Sequence, residues 1–529
     1  MQTLDLIIIF GYLIGITAFG IWYAGKQETT EDYFVGDRNV PWWAIAMSIV
    51  ATETSTITFI SVPGYAFAKN GNFQFIQLVL GYLLGRIVIS LVFIPMYFRG
   101  ELQTVYQLLG DRFGGRVKML ASSLFVIMRN IADGIRLLLT AIVLAAVYTA
   151  FSPGTDNATV IIASIVMLGI VMIVFTFYGG IEAVIWVEVV QLVVYVGGAI
   201  AAAIVLINSI DGGLTNAIDI GRQYDKFAMF DFNLDFAKTY TFWGGVLGGC
   251  FLTMSTHGTD QFLVQRYLCT ERPRAAITAL MTSGFVVLIQ FLGFLFIGVL
   301  LFAFYQPFGD LAYESVKAGQ ATLPSSDAFR VAPSSAMYEV VGGDRVFPNF
   351  ITRYMPSGLS GLVIAAIFAA ALSSSLNAIA ATSVNDIYKR FARDTSDRHL
   401  LKVSGWLTVI FGVIQIVVAV GLGIAITMEF VKDSALGLAL AVASLINGPI
   451  LGVFLVGAFL KQAKEVHALS GMIVSILVMI YVLLASNKFV PGPVIAWPWY
   501  ALIGSSITVI VTFLATLAIR SDKNDEISS

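Results

Sequence analysis

The sequence predicts an all-α polytopic membrane protein of about 13 transmembrane helices, a 5+5 inverted repeat with two broken helices. Three observations lead there. The 529 residues are 58% hydrophobic and only 12% charged, against about 25% charged in a typical soluble protein. Apolar runs of about 20 residues, long enough to cross a bilayer, recur along the whole chain. Two of these runs are polar where lipid would penalise them: Ala51-Thr52-Glu53-Thr54-Ser55-Thr56-Ile57-Thr58 and Thr253-Met254-Ser255-Thr256-His257-Gly258-Thr259-Asp260-Gln261. Hydroxyls and a carboxylate at membrane depth are tolerated where a helix breaks and lines a polar cavity. Two such interruptions at matching places in two halves of a chain point to a transporter's binding site.

The predicted spans, in order, are 4–25, 41–67, 75–98, 119–150, 158–178, 184–208, 239–263, 276–305, 356–386, 402–427, 433–459, 466–485 and 497–519. The first is read as a retained helix, because it lacks the basic start and small-residue cleavage site of a signal peptide. The second and seventh hold the polar breaks. Being five apart, they divide the chain into repeat one, about 41–208, and repeat two, about 239–459. The spans 4–25, 466–485 and 497–519 flank the repeats. Residues 209–238 and 306–355 form the two sizeable loops, each expected to carry short helices packed on the membrane part. Residues 520–529 read as a disordered polar tail, and the whole as one integral-membrane domain.

With the N-terminus outside, 18 lysines and arginines fall on the inner side and 10 on the outer. Most of the ten lie in or beside the long loops, which count little toward orientation. The expectation is a multi-pass protein of the cell inner membrane with a cytoplasmic C-terminus. A net charge of −2 argues against nucleic acid as partner. Cys250 and Cys269 indicate neither a disulfide framework nor a metal site. There is no catalytic triad, metal cluster or phosphate loop with its lysine. Enzyme and ATP-driven readings therefore have little support, and coupling to an ion gradient or a channel remains.

Several motifs carry a resemblance. Pro41-Trp42-Trp43-Ala44 precedes the first break, and Gln103-Thr104-Val105-Tyr106-Gln107-Leu108-Leu109-Gly110-Asp111-Arg112-Phe113 follows the third span. Gly179-Gly180-Ile181-Glu182-Ala183-Val184-Ile185-Trp186 opens the sixth, and Gln265-Arg266-Tyr267 follows the second break. Ser373-Ser374-Ser375-Leu376-Asn377 and Asn385-Asp386-Ile387-Tyr388 come last. Together, and in family order, they resemble the sodium/solute symporter family over the whole chain. The resemblance implies the leucine-transporter-type inverted-repeat fold, solute bound near the midplane, and sodium as coupling ion with no other cofactor.

It also implies a sodium site built from backbone carbonyls at the first break, here Ala51 and Thr54, with hydroxyls among Ser373, Ser374 and Ser375. Freed carbonyls and hydroxyls are the oxygen ligands a hard cation needs. The serines follow Ala369-Ala370-Ala371-Leu372 directly, about three residues short of the family pattern. Small residues packing helix to helix are the plain alternative. Glu188 stands where some members place an Asp in a second sodium site; otherwise it pairs with a base.

Among solute-facing candidates, Glu53 is an intramembrane carboxylate that ligates a cation, holds the solute, exchanges a proton or forms an internal salt bridge. Arg129, Asp133 and Arg136 share a helical face, and Arg136 is the nearest match to a carboxylate-holding Arg of sialic-acid-transporting relatives. A structural Arg–Asp–Arg network is its alternative. Arg86 reads as structural or snorkelling. Ser55 and Thr58 at the first break, and Thr253, Thr256 and His257 at the second, complete the inner wall. Phe73, Gln74 and Gln77 are expected to cap the site, with Ser444 and Asn447 opposite. The function expected is sodium-coupled symport of a small polar organic solute (a sugar, sugar acid or other organic acid) by alternating access. Rivals are a proton-coupled or facilitative transporter and a transporter-like receptor.

Overall fold

The computed structural model describes residues 2–24, 29–36, 38–54, 56–100, 102–151, 157–305, 346–372, 375–427 and 435–528. No strand occurs among them. In a membrane this follows from the backbone, since a helix satisfies its own N–H and C=O groups within one segment.

The first half runs through α1 (Thr3–Ala24), α2 (Thr30–Val35), α3 (Trp42–Glu53), α4 (Thr56–Phe67), α5 (Ile76–Val88) and α6 (Ile94–Tyr97). It continues with α7 (Gln107–Phe113), α8 (Gly115–Phe151), α9 (Asn157–Tyr178) and α10 (Ile181–Ser209). A loop helix α11 (Gly213–Gln223) leads to α12 (Gly249–Thr259), α13 (Gln261–Leu268) and α14 (Pro273–Tyr305). Then come α15 (Val346–Tyr354), α16 (Leu359–Leu372), α17 (Leu376–Thr382), α18 (Asp397–Thr427), α19 (Ala435–Phe459), α20 (Glu465–Ser486) and α21 (Tyr500–Ser528). The expected loop helices are α11 and α15.

Among the described residues, 8 helices are long and apolar enough to span a membrane, or 9 when the bent pair α3–α4 counts as one. This count takes in the described residues only and does not reach the expected thirteen. α12 and α13 have only 11 and 8 residues, and α8 carries Arg129, Asp133 and Arg136 in its apolar length. Helix α21 continues through Ser528, past the point where the polar tail reads as unstructured. Each residue added to an existing helix gains a hydrogen bond without a new nucleus.

Helices α3 and α4 pack on α14, α3 also on α10, and α12 fits between α5 and α19. Lipid is as apolar as leucine, so burial of apolar area does not drive these contacts; close packing does. Where α5 passes the helical turn Gly244–Gly248 and the start of α12, Gly81 lets the backbones meet, for a Cβ there would lie 2.5 Å from the Gly245 carbonyl oxygen and 2.9 Å from the Cys250 nitrogen. One apolar core gathers α4, α10, α14, α15 and α16, with Phe59, Phe294 and Phe347 in ring contact. A second gathers α3, α7, α8, α13 and α19 around Tyr106, Phe125 and Phe454. Large apolar side chains such as Trp22, Leu91, Ile289 and Trp406 are exposed on the outside, as a lipid-facing surface requires.

Candidate functional site

Both predicted interruptions are breaks in the backbone. The arms of α3 and α4 meet at 56°. Thr54 leaves helical geometry at φ −84°, ψ 64°, while its N–H still bonds the Val50 carbonyl. The Thr54 hydroxyl lies 2.6 Å from that carbonyl and 2.7 Å from the Gln290 carboxamide of α14. The Thr58 hydroxyl donates to the Glu53 carbonyl at 3.0 Å. Side chains thus take over bonds that the interrupted helix leaves open. The second break falls at Asp260, at φ −91° and ψ 119°. Its carboxylate caps α13 by accepting the Phe262 N–H at 2.9 Å and pairs with Arg129 Nη2 at 2.7 Å.

The two breaks converge on one charged cluster. Glu53 Oε1 meets Arg86 of α5 and His257 of α12. Arg86 Nη2 is 3.3 Å from His257 Nε2, and Thr256 holds His257 Nδ1 at 3.1 Å. Arg86 is fully buried, so the snorkelling reading is corrected: its guanidinium turns inward because Glu53 waits there. Its Nε and Nη1, with Glu53 Oε2 and Gln290 Nε2, are buried without a hydrogen-bond partner among the described residues. The signal for Arg86 was present in the sequence, since an ionisable residue inside a span is functional by default.

A second cluster surrounds Glu188 on α10. Arg266 of α13 reaches it in a fork, Nη2 to Oε1 at 2.5 Å and Nε to Oε2 at 3.2 Å. Ser48 donates to Oε2 and Thr52 to Oε1 at 3.2 Å. Glu188 and Arg266 are fully buried. Of the two roles the sequence left open for Glu188, the pairing with a base is the one its surroundings display. The rings of Arg–aromatic contact add to this: Arg129 and Arg266 each lie 4.6 Å from the Phe262 centroid, and Arg136 lies 5.8 Å away.

The shared face of α8 divides. Arg129 goes to Asp260, whereas Arg136 Nη1 stands 3.6 Å from Asp133. Asp133 receives the hydroxyl of Ser375. Ser55, Ser373 and Ser374 lie outside the described residues. Ala51 is half-buried in the last turn of α3. Thr253 packs against Gly85 of α5, and the Thr256 hydroxyl bonds the Leu252 carbonyl at 3.0 Å. Ser444 and Asn447 are buried on α19, which packs against α12 and α4. Gln77 is buried and tied to the loop that follows α11, accepting the Asp231 N–H at 2.9 Å and donating to the Gln74 carbonyl at 3.0 Å. Its amide ties Asp231 to the start of α5.

The quoted motifs interlock. Thr104 and Lys118 hold Asp386 at 2.8 and 3.0 Å. Gln265 bonds Asn377 at 2.7 Å and the Phe34 carbonyl at 2.6 Å. A family model described as the sodium:solute symporter family matches residues 33–475. The chain belongs to the sodium:solute symporter family. It is 29% identical to the sodium/sialic acid symporter NanT of Aliivibrio fischeri, covering 100% of this chain and 96% of that one. It is 30% identical to the sodium/sialic acid symporter SiaT of Proteus mirabilis, over 95% and 92%. A solved structure, the substrate-bound outward-open state of a Na+-coupled sialic acid symporter, superposes with a TM-score of 0.78 at 29% identity over 98% of both chains. As a member of this family the chain is a sodium-coupled symporter with the leucine-transporter-type fold, and not an enzyme.

Proposed function

We propose that this symporter carries a small organic acid of the sugar-acid class by alternating access. The observation behind this reading is Arg86, a fully buried guanidinium at the meeting point of both breaks, bonded along one edge to Glu53 with Nε and Nη1 unpartnered. A guanidinium fork matches a carboxylate. Glu53 and Thr58 beside it suit hydroxyl or amine groups of the same solute. The named relatives carry an acid, which agrees. Ala51, Thr54 and the serines at 373–375 are proposed for sodium, and Ser55, Thr253, Thr256, His257, Arg136, Ser444 and Asn447 for the walls of the solute path. The cell inner membrane, with the N-terminus outside, is the proposed placement, supported by the excess of basic residues in the inner loops.

The test is uptake into proteoliposomes under an inward sodium gradient, comparing sialic acids, other sugar acids, monocarboxylates and neutral sugars. Acid uptake in sodium but not in choline, with KM raised at least tenfold in Arg86→Gln, is the expected result. Preference for neutral sugars would overturn the substrate class. The contact of His257 with Glu53 favours one second reading, proton coupling; it requires concentrative uptake in choline under a proton gradient, abolished in Glu53→Gln.

A further inference from the structure

Asp133 on α8 is 3% exposed. A carboxylate this deeply buried needs a close cation or several donors. Its Oδ2 receives the Ser375 hydroxyl and, at 3.3 Å, the Ser375 N–H. The Gln415 carboxamide of α18 approaches the same oxygen at 3.5 Å. Arg136 Nη1 is 3.6 Å from Oδ1, beyond hydrogen-bond reach. Asp133 Oδ1 and Gln415 Oε1 are both buried without a hydrogen-bond partner among the described residues. A carboxylate, a carboxamide and a serine hydroxyl, all from buried side chains, therefore converge where α8, α18 and the start of α17 meet.

The two ends of a carboxamide exchange places by a simple flip. With nitrogen toward Asp133, Gln415 makes a weak contact and leaves its own oxygen orphaned. With oxygen toward Asp133, two oxygens repel unless a cation lies between them. Ligands about 2.4 Å from a hard cation and at right angles to each other are about 3.4 Å apart. The separation of Gln415 and Asp133 is that of neighbouring ligands on one ion.

We propose that Asp133, Gln415 and Ser375 supply oxygen ligands to a sodium ion, at a site spanning α8, α18 and the start of α17. It rests on the sodium-coupled reading of the chain and goes beyond it. Glu188, the acidic ligand expected from the sequence, has a buried guanidinium across both oxygens, and that charge repels a cation. Asp133 has a guanidinium only at 3.6 Å, in an ion pair of Arg136 with Oδ1 alone and no fork, and its Oδ2 receives a residue of the serine-rich segment.

The test is the thermal stability of the purified full chain, titrated with sodium chloride against choline chloride at constant ionic strength and without solute. Asp133→Asn and Gln415→Leu should each raise the sodium midpoint at least tenfold. Unchanged midpoints beside a lowered melting temperature would make the cluster structural and overturn the site. If Asp133→Asn fails to fold, Gln415→Leu, which removes no charge, decides alone. A wild-type protein that does not respond to sodium overturns the coupling itself, a different failure from an unaltered midpoint in the variants.

Discussion

Glu53 joins the two broken helices through Arg86 and His257, and it is the side chain proposed to face the solute. Its carboxylate pairs with Arg86, which is fully buried in this conformation. Removing one partner of a buried pair costs about 3–5 kcal/mol, most of it from the charge left behind. Glu53→Gln should therefore lower the melting temperature strongly. The double variant Glu53→Gln with Arg86→Gln should lose less than the sum of the two singles, and a double-mutant cycle on melting curves reads this coupling. Additive losses would mean that the contact carries little. The sequence made Glu53 conspicuous because it is polar in an apolar run. It did not identify its partners, since Arg86 is 33 positions from Glu53 along the chain and His257 a further 171 beyond Arg86.

At the level of helices, two arrangements stand out. The first is the close passage of α5 by the turn Gly244–Gly248 and the start of α12. Gly81→Val would drive a side chain into the Gly245 and Val246 carbonyls, both within 2.6 Å of the added Cβ. Overpacking of this kind costs about 1–3 kcal/mol, and a lowered melting temperature with reduced uptake is expected. A melting temperature equal to wild type would show that the helices separate freely. The second is the end of α4. Lys226, beyond α11, sends its buried ammonium to the carbonyls of Ala66, Phe67, Ala68, Lys69 and Gly71, beneath the Phe302 ring at 4.1 Å. A cation is favourable at a helix C-terminus, yet burial pushes its pKa from 10.5 down to about 8. The folded protein thus disfavours the charged form relative to the unfolded chain. That penalty is absent above pH 10.5, grows as pH falls, and is complete below about 8. The melting temperature of wild type minus that of Lys226→Met should rise between pH 8 and 10, and a flat difference would contradict the linkage.

For the molecule as a whole, the outstanding quantity is its orientation. Single cysteines placed at Gln2 and near Asn524, in a background lacking Cys250 and Cys269, should separate the two ends. An impermeant maleimide on intact cells is expected to label the first and to reach the second only after permeabilisation. The reverse pattern would invert the proposed topology. The clusters at Glu53 and Glu188 tie the elements around the first break to those around the second, through His257 and Arg266.

The amino-acid sequence alone determined the class: helices, because lipid leaves a backbone no other partner, and two interruptions, because polar residues in apolar runs must face something other than lipid. It also determined the family, through motifs that prove to be braces such as Thr104 with Asp386 and Gln265 with Asn377. Tertiary structure alone decided which charge met which. Arg129 and Arg136 share a face of α8, but one is drawn to the cap of α13 and the other stays near Asp133. Gln77 is a solute-ligand candidate by position, and its amide oxygen accepts from the backbone of Asp231. Glu188 is taken by Arg266, whereas Asp133 is not paired so closely. The physical reason is the reach of the interactions: hydropathy and chain breaks are local properties, whereas a buried charge finds its partner only after helices far apart in sequence have packed together.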